Sequence, residues 1–177
     1  MIDKCFNRVL VAFGSNLGNR ELTLSDALTA IADLSEAPLR CSSWWSSAPA
    51  LMADDAGEFI NGVVEMQTSL SAWQLLLALQ AIEWQAGRPK SHAFNASRVL
   101  DLDIICFGDA IIERPGLVIP HPRACQRLFV LVPLAELCPG LVMPGQPDSI
   151  ETLINRASGE PVTRLQAAPI LPPRPLL

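Results

Sequence analysis

The sequence predicts an α+β fold, an antiparallel sheet with two helices packed on one face. Three observations point to it. Short runs of branched and aromatic residues alternate with two amphipathic stretches in the order β-α-β-β-α-β, the split βαβ arrangement. The run 98–107 is rich in strand-forming side chains and closes on Gly108-Asp109, a turn signal that suits a hairpin. Ser71 and Gly87 bracket the second helical stretch as a plausible N-cap and stop.

In chain order, Val9-Leu10-Val11-Ala12-Phe13 reads as a strand ended by the turn Gly14-Ser15-Asn16-Leu17-Gly18-Asn19. A helix follows over about 20–34, with Leu24, Ala27, Leu28, Ile31, Ala32 and Leu34 as its buried stripe. A glycine-bearing strand-to-helix turn invites a phosphate-loop reading. It lacks both the Gly-Lys-Ser/Thr ending of a Walker loop and a full G-x-G-x-x-G. Residues 39–47, with Trp44 and Trp45, read as a second strand, 48–57 as a loop and 58–68 as a third strand. The second helix runs to about residue 86 with Leu75, Leu76, Leu79 and Ile82 facing the core. A polar segment, 88–97, precedes the central strand. After Gly108 come a short return strand (110–113), the stiff Pro120-His121-Pro122 and the apolar run 128–137. Five prolines crowd residues 161–177, which predicts a loose C-terminal tail after a single domain spanning 1–160.

With 177 residues, half of them apolar, the chain can bury a core without staples. A net charge of −5 speaks against a general nucleic-acid binder, so phosphate ligands must be met by local cations or a metal. The five cysteines, Cys5, Cys41, Cys106, Cys125 and Cys138, are odd in number and lack a C-x-x-C, which indicates neither a disulfide framework nor a zinc site. No stretch approaches the roughly 18 apolar residues of a membrane span, and the N-terminus lacks the apolar run of a signal peptide. The expectation is a cytoplasmic protein.

The chemistry concentrates in Arg98-Val99-Leu100-Asp101-Leu102-Asp103. Alternate side chains of a strand share a face, so Asp101 and Asp103 stand side by side. Charge inside an apolar strand needs a partner. Oxygen ligands from two neighbouring aspartates suit Mg²⁺, which takes its other oxygens from water and phosphate. A wet outer face, or an ion pair between an aspartate and Arg98, would account for the same pattern.

The neighbouring motifs resemble one family. In order they are Gly14-Ser15-Asn16-Leu17-Gly18, Ala48-Pro49, Phe59-Ile60-Asn61, Gly87-Arg88, Arg98 with Asp101-Leu102-Asp103, and Pro120-His121-Pro122 with Arg127 and Phe129. Together they resemble 6-hydroxymethyl-7,8-dihydropterin pyrophosphokinase of the folate pathway, over about residues 8–145. The resemblance implies a ferredoxin-like fold and the transfer of diphosphate from the co-substrate ATP to the pterin hydroxymethyl group, with release of AMP. It implies that Asp101 and Asp103 hold two Mg²⁺ ions. Arg88 and Arg98 would be phosphate-gripping arginines that complete the catalytic set with the two aspartates.

Lys90 would add a further cation, and His121 and Arg127 further ATP contacts, while Gln80 and Glu83 would face the nucleotide. Phe59 and Phe129 would stack the pterin and Asn61 would read its edge, with Ser47, Pro49 and Ala50 from the adjoining loop. Without the resemblance, both phenylalanines read as core and His121 as structural. The sequence departs from the family pattern at Ser46, Leu51 and Ser97, and residue 116 is glycine where some members carry a basic residue. These departures bear on loop closure and substrate affinity. Those at Leu51 and Ser97 are also the support for a rival reading, a weakened paralogue that binds pterin or nucleotide and regulates a partner. The partners expected are the two small molecules, with neither nucleic acid nor membrane, and the protein is expected to be a monomer.

Overall fold

The computed structural model describes residues 6–48, 57–87, 98–159 and 161–167. Its elements are β1 (Asn7–Ser15), α1 (Arg20–Asp33), β2 (Arg40–Cys41), β3 (Trp44–Ser47), β4 (Phe59–Thr68), α2 (Ala72–Gln85), β5 (Asp101–Phe107), β6 (Ile112–Arg114), β7 (Leu117–Ile119), α3 (Leu128–Leu137), α4 (Ile150–Arg156) and β8 (Val162–Gln166). The main sheet runs β5-β1-β4-β3-β8 with β2 also on β4, and each pairing is antiparallel. β6 and β7 form a separate hairpin whose turn places Gly116 at φ +83°, a backbone conformation that glycine adopts freely. That turn accounts for a glycine at this departure from the family pattern.

The α+β expectation is met, and the two foreseen helices pack as foreseen. α1 and α2 cover one face of the sheet, burying Leu24, Leu28, Ile31, Leu75 and Leu79 against Val9, Val11, Phe13, Met66, Leu102 and Ile104. Asn19 caps α1, and Ser71 caps α2 through a reciprocal capping box with Gln74. The opposite face is covered too. Here α3 and α4 bury Leu131, Leu134 and Ile150 against Leu10, Val63 and Ile105. This second layer goes beyond the two helices that the sequence pattern supplied.

Three boundaries differ from expectation. The strand read over 39–47 is broken at Ser42-Ser43 into β2 and β3. The central strand begins at Asp101, because residues 98–100 turn to bond Asn16. The tail read as loose from Pro161 is strand over Val162–Gln166, paired with β3. Its prolines at 161 and 169 leave 162–168 free of proline, so this stretch can donate to the ladder.

Close approach explains one glycine in the sheet. Gly62 lies opposite Phe13, and a Cβ built there would sit 2.3 Å from Phe13 Cζ. Gly62→Ala is expected to cost about 1–3 kcal/mol by overpacking, read as a lower melting temperature.

Candidate active site

β5 is a border strand of the sheet, held on its inner side by β1 with Asp103 opposite Ala12 and Asp101 opposite Gly14. Leu102 and Ile104 point into the α1/α2 core, which turns Asp101 and Asp103 to the α3 side of the sheet. A bulge at Ile105, between the pairs Leu10–Cys106 and Val11–Ile104, ends this alternation. Ile105 and Cys106 therefore both enter the second core. Cys106 is a small core residue there, and burial pushes its thiol up to about 12.

The outer edge of β5 is also tied down. Leu102 N–H donates to Glu83 Oε1 at 2.8 Å, and Glu83 is buried on α2. Family resemblance pointed Glu83 at the nucleotide, whereas this contact makes it a cap on the strand edge. Gln80 lies one turn earlier on α2 and is half-buried. His121 N–H donates to Ile105 O at 3.0 Å, which brings the Pro-His-Pro segment alongside.

Asn16 fastens the start of the site. Its Oδ1 accepts from Arg98 N–H at 2.7 Å, its own N–H donates to Arg98 O at 3.1 Å, and its Nδ2 reaches Gly57 O at 3.5 Å. The Gly-Ser-Asn-Leu-Gly run is thus a clasp between the segments entering β4 and β5. Arg98 Nη1 in turn pairs with Asp101 Oδ1 at 2.6 Å, the ion pair that was one of the sequence alternatives.

Asp103 is less well compensated. Burial first, and the Asp101 charge second, push its carboxyl above the usual range, while His121, Arg127 and Arg98 pull the other way. His121 Nε2 lies 3.8 Å from Asp103 Oδ2. Burial holds its imidazole below the ordinary histidine value despite Asp103. Its Nδ1 accepts from Arg123 N–H, so the neutral ring carries its proton on Nε2, toward Asp103. Arg127 stands over the Phe129 ring with its guanidinium carbon 5.3 Å from the centroid.

Across the sheet, Asp101, Gly14, Asn61 and Trp45 are successive partners, so they share one row of one face. Gly14 leaves a gap in that row. A Cβ on it would meet Asn61 Oδ1 at 3.1 Å and Phe59 Cδ1 at 3.8 Å. Asn61 is buried, with Nδ2 donating to Ser47 Oγ at 2.9 Å, which fixes which way its amide points. Phe129 lies on α3, packed against the core of the same face. The structure therefore brings Arg98, Asp101, Asp103, His121, Arg127, Ser47, Phe59, Asn61 and Phe129 to one side of the sheet. Arg88, Lys90, Pro49 and Ala50, with Leu51 and Ser97, lie outside the described residues.

Among the described residues no group of three or more His, Cys, Asp or Glu side chains is arranged to hold a metal. Two adjacent, partly exposed carboxylates, one with its charge poorly balanced, fit a hard cation that draws its remaining oxygens from water and phosphate.

The family model for 7,8-dihydro-6-hydroxymethylpterin-pyrophosphokinase matches residues 10–139. The chain belongs to this family. As a pyrophosphokinase family member it is 41% identical over 137 residues to the 2-amino-4-hydroxy-6-hydroxymethyldihydropteridine pyrophosphokinase of Pseudomonas aeruginosa, covering 77% of this chain and 84% of that one. It is 39% identical over 133 residues to the enzyme of the same name from Bacillus subtilis, covering 75% and 78%. Among solved structures, a Plasmodium falciparum HPPK-DHPS crystal structure shares the fold with a TM-score of 0.67 at 12% identity. That match covers 86% of this chain and 42% of the larger one, so this pyrophosphokinase spans less than half of that protein. No helix among the described residues is long and apolar enough to cross a membrane.

Gly14, Asn16 and Trp45 escaped the motif reading as members of the site. Gly14 and Asn16 were in view as turn residues; the cross-strand partners of Gly14 and the hydrogen bonds of Asn16 to Arg98 and Gly57 are what give them a place. Those partners become visible only once the β1 register is known.

Proposed function

We propose that this chain transfers diphosphate from ATP to the hydroxymethyl oxygen of 6-hydroxymethyl-7,8-dihydropterin, releasing AMP, with Asp101 and Asp103 as ligands of two Mg²⁺ ions. One observation carries the reading. A carboxylate pair shares a sheet face with Asn61 and Phe59, and only the side-chain-free Gly14 stands between them. Metal bound there supplies neutralisation of the phosphate charge, which is most of what diphosphate transfer asks of a site.

The chain's own groups do the rest. Arg98 and Arg127 grip phosphate oxygens with paired donors, joined by Arg88 and Lys90. Neutral His121 donates from Nε2 to a phosphate oxygen. Phe59 and Phe129 hold the flat ring, and Asn61, its amide set by Ser47, reads the ring edge. Gln80, half-buried on α2, borders the nucleotide. This arrangement positions the hydroxyl for attack in line with the bond to the leaving AMP, so no dedicated protein base is needed. The weakened-paralogue reading is not favoured, since relatives about 40% identical over three quarters of the chain carry the pyrophosphokinase name.

The test is AMP release by the purified chain with ATP, Mg²⁺ and the pterin. The expected result is release that requires all three and disappears in Asp101→Ala. Near-normal release by Asp101→Ala would overturn the metal assignment.

A further inference from the structure

We infer that Glu136 on α3 and Arg164 on β8 are positioning residues for the pterin, holding Trp45 as the side wall of its pocket through the bulge residue Ser43. The inference rests on the proposed function.

β2 and β3 pair with β4 in registers that do not match. Cys41 lies opposite Val64 and Trp45 opposite Asn61, so the first strand carries one residue more than its partner. The extra residue inverts the facing of all that follows. Trp44 thereby falls in the α1/α2 core, 2% exposed, and Trp45 falls beside Asn61 on the site face. Ser42 repairs the ladder at the bulge, its N–H donating to Val63 O at 2.9 Å and its Oγ accepting from Val63 N–H at 3.0 Å.

Ser43 is the displaced residue, and its N–H and hydroxyl are taken by side chains from α3 and β8 in place of the β4 ladder. Its N–H donates to Glu136 Oε2 at 3.1 Å and its hydroxyl to Glu136 Oε1 at 2.5 Å. The two lone pairs of that hydroxyl accept from Arg164 Nε at 2.9 Å and Nη2 at 2.6 Å, which completes its bonding capacity. Glu136 Oε2 also accepts from Trp45 Nε1 at 3.1 Å, and Arg164 pairs with Glu136 Oε1 at 3.2 Å. One carboxylate therefore fixes both the bulge that aims Trp45 and the indole itself. Because β8 pairs with β3 alone among the described strands, its Arg164, opposite Trp45, links the last strand to the pocket. None of these groups stands in the Asp101–Asp103 part of the row, so the clamp bears on the pterin and leaves the phosphate end alone.

The test uses the full chain as Glu136→Ala, Arg164→Ala, Trp45→Phe and the Glu136→Ala/Trp45→Phe double variant. It reads kcat and both KM values from AMP release, pterin Kd by calorimetry, and melting temperature. The expected result is a rise of about tenfold in pterin KM and Kd for each single variant, the loss of one charge-assisted contact set. ATP KM and kcat should stay within about twofold. On the Trp45→Phe background, Glu136→Ala should add little, as coupled residues do. If Glu136→Ala does not fold, Arg164→Ala, on the exposed edge strand, decides the matter.

Unchanged pterin KM in the single variants would overturn the inference. So would pterin KM, ATP KM and kcat all worsening in step with the melting temperature. A wild-type chain that binds pterin without turnover would overturn the proposed activity and leave the clamp to be judged from Kd. One that does not bind pterin would overturn both.

Discussion

Asp103→Asn is expected to lower diphosphate transfer on the order of a thousandfold while leaving the melting temperature unchanged or higher. The two effects have one origin. In the folded chain the Asp103 carboxyl is pushed above its ordinary value by burial and by Asp101, so its charge is less well accommodated there than in the unfolded chain. A group with a raised folded pKa destabilises the fold when ionised, and that cost fades as pH falls through the raised value. The amide removes the charge at every pH. Wild type and variant should therefore converge in melting temperature under acid and separate toward neutral pH, with the variant no less stable. Added Mg²⁺ should raise the melting temperature of the wild type and not of Asp103→Asn. A variant that melts well below wild type at neutral pH would show that Asp103 supports the fold instead.

Gly14→Val is expected to lower kcat/KM for the pterin about a hundredfold, with a folded protein and retained ATP binding. Valine suits a strand, and Gly14 is not among the positive-φ glycines, so the backbone accepts it. The obstruction is lateral. Even a methyl group would press on the Asn61 amide oxygen at 3.1 Å, and the branched side chain would enter the gap between the carboxylates and Asn61. Gly14→Ala should fall between, because the Asn61 side chain can give by a few tenths of an ångström. Full pterin activity in Gly14→Val would mean that the substrate does not cross this gap.

How much could be read from the residues depends on whether the signal was local. β1, α1, β4 and α2 each carry their own periodicity and caps, and their limits fall within about two residues of the sequence reading. The Asp101–Asp103 pair was legible because strand alternation is a local rule. α3 was not assigned a type. Leu128–Leu137 is apolar at every position but Glu136 and contains Pro133, and periodicity cannot distinguish such a run from a buried strand. The β2–β3 break was missed because a serine pair carries no bulge signature until β4 lies beside it. β8 was hidden by averaging composition over a proline-crowded window. The phenylalanines illustrate the opposite limit, since only the spaced set around them separated Phe59 and Phe129 from ordinary core.

The sealing of the β5 border has a consequence for how molecules meet one another. An open sheet margin is a template on which a second copy can add a strand, and on this margin that strand would flank the carboxylates. Here the Leu102 amide is occupied by a glutamate side chain and the Ile105 carbonyl by the histidine segment, so a visiting strand finds both groups already engaged. Self-association by continuing the sheet is thereby discouraged along the margin that flanks the two aspartates, which leaves that margin clear at high protein concentration.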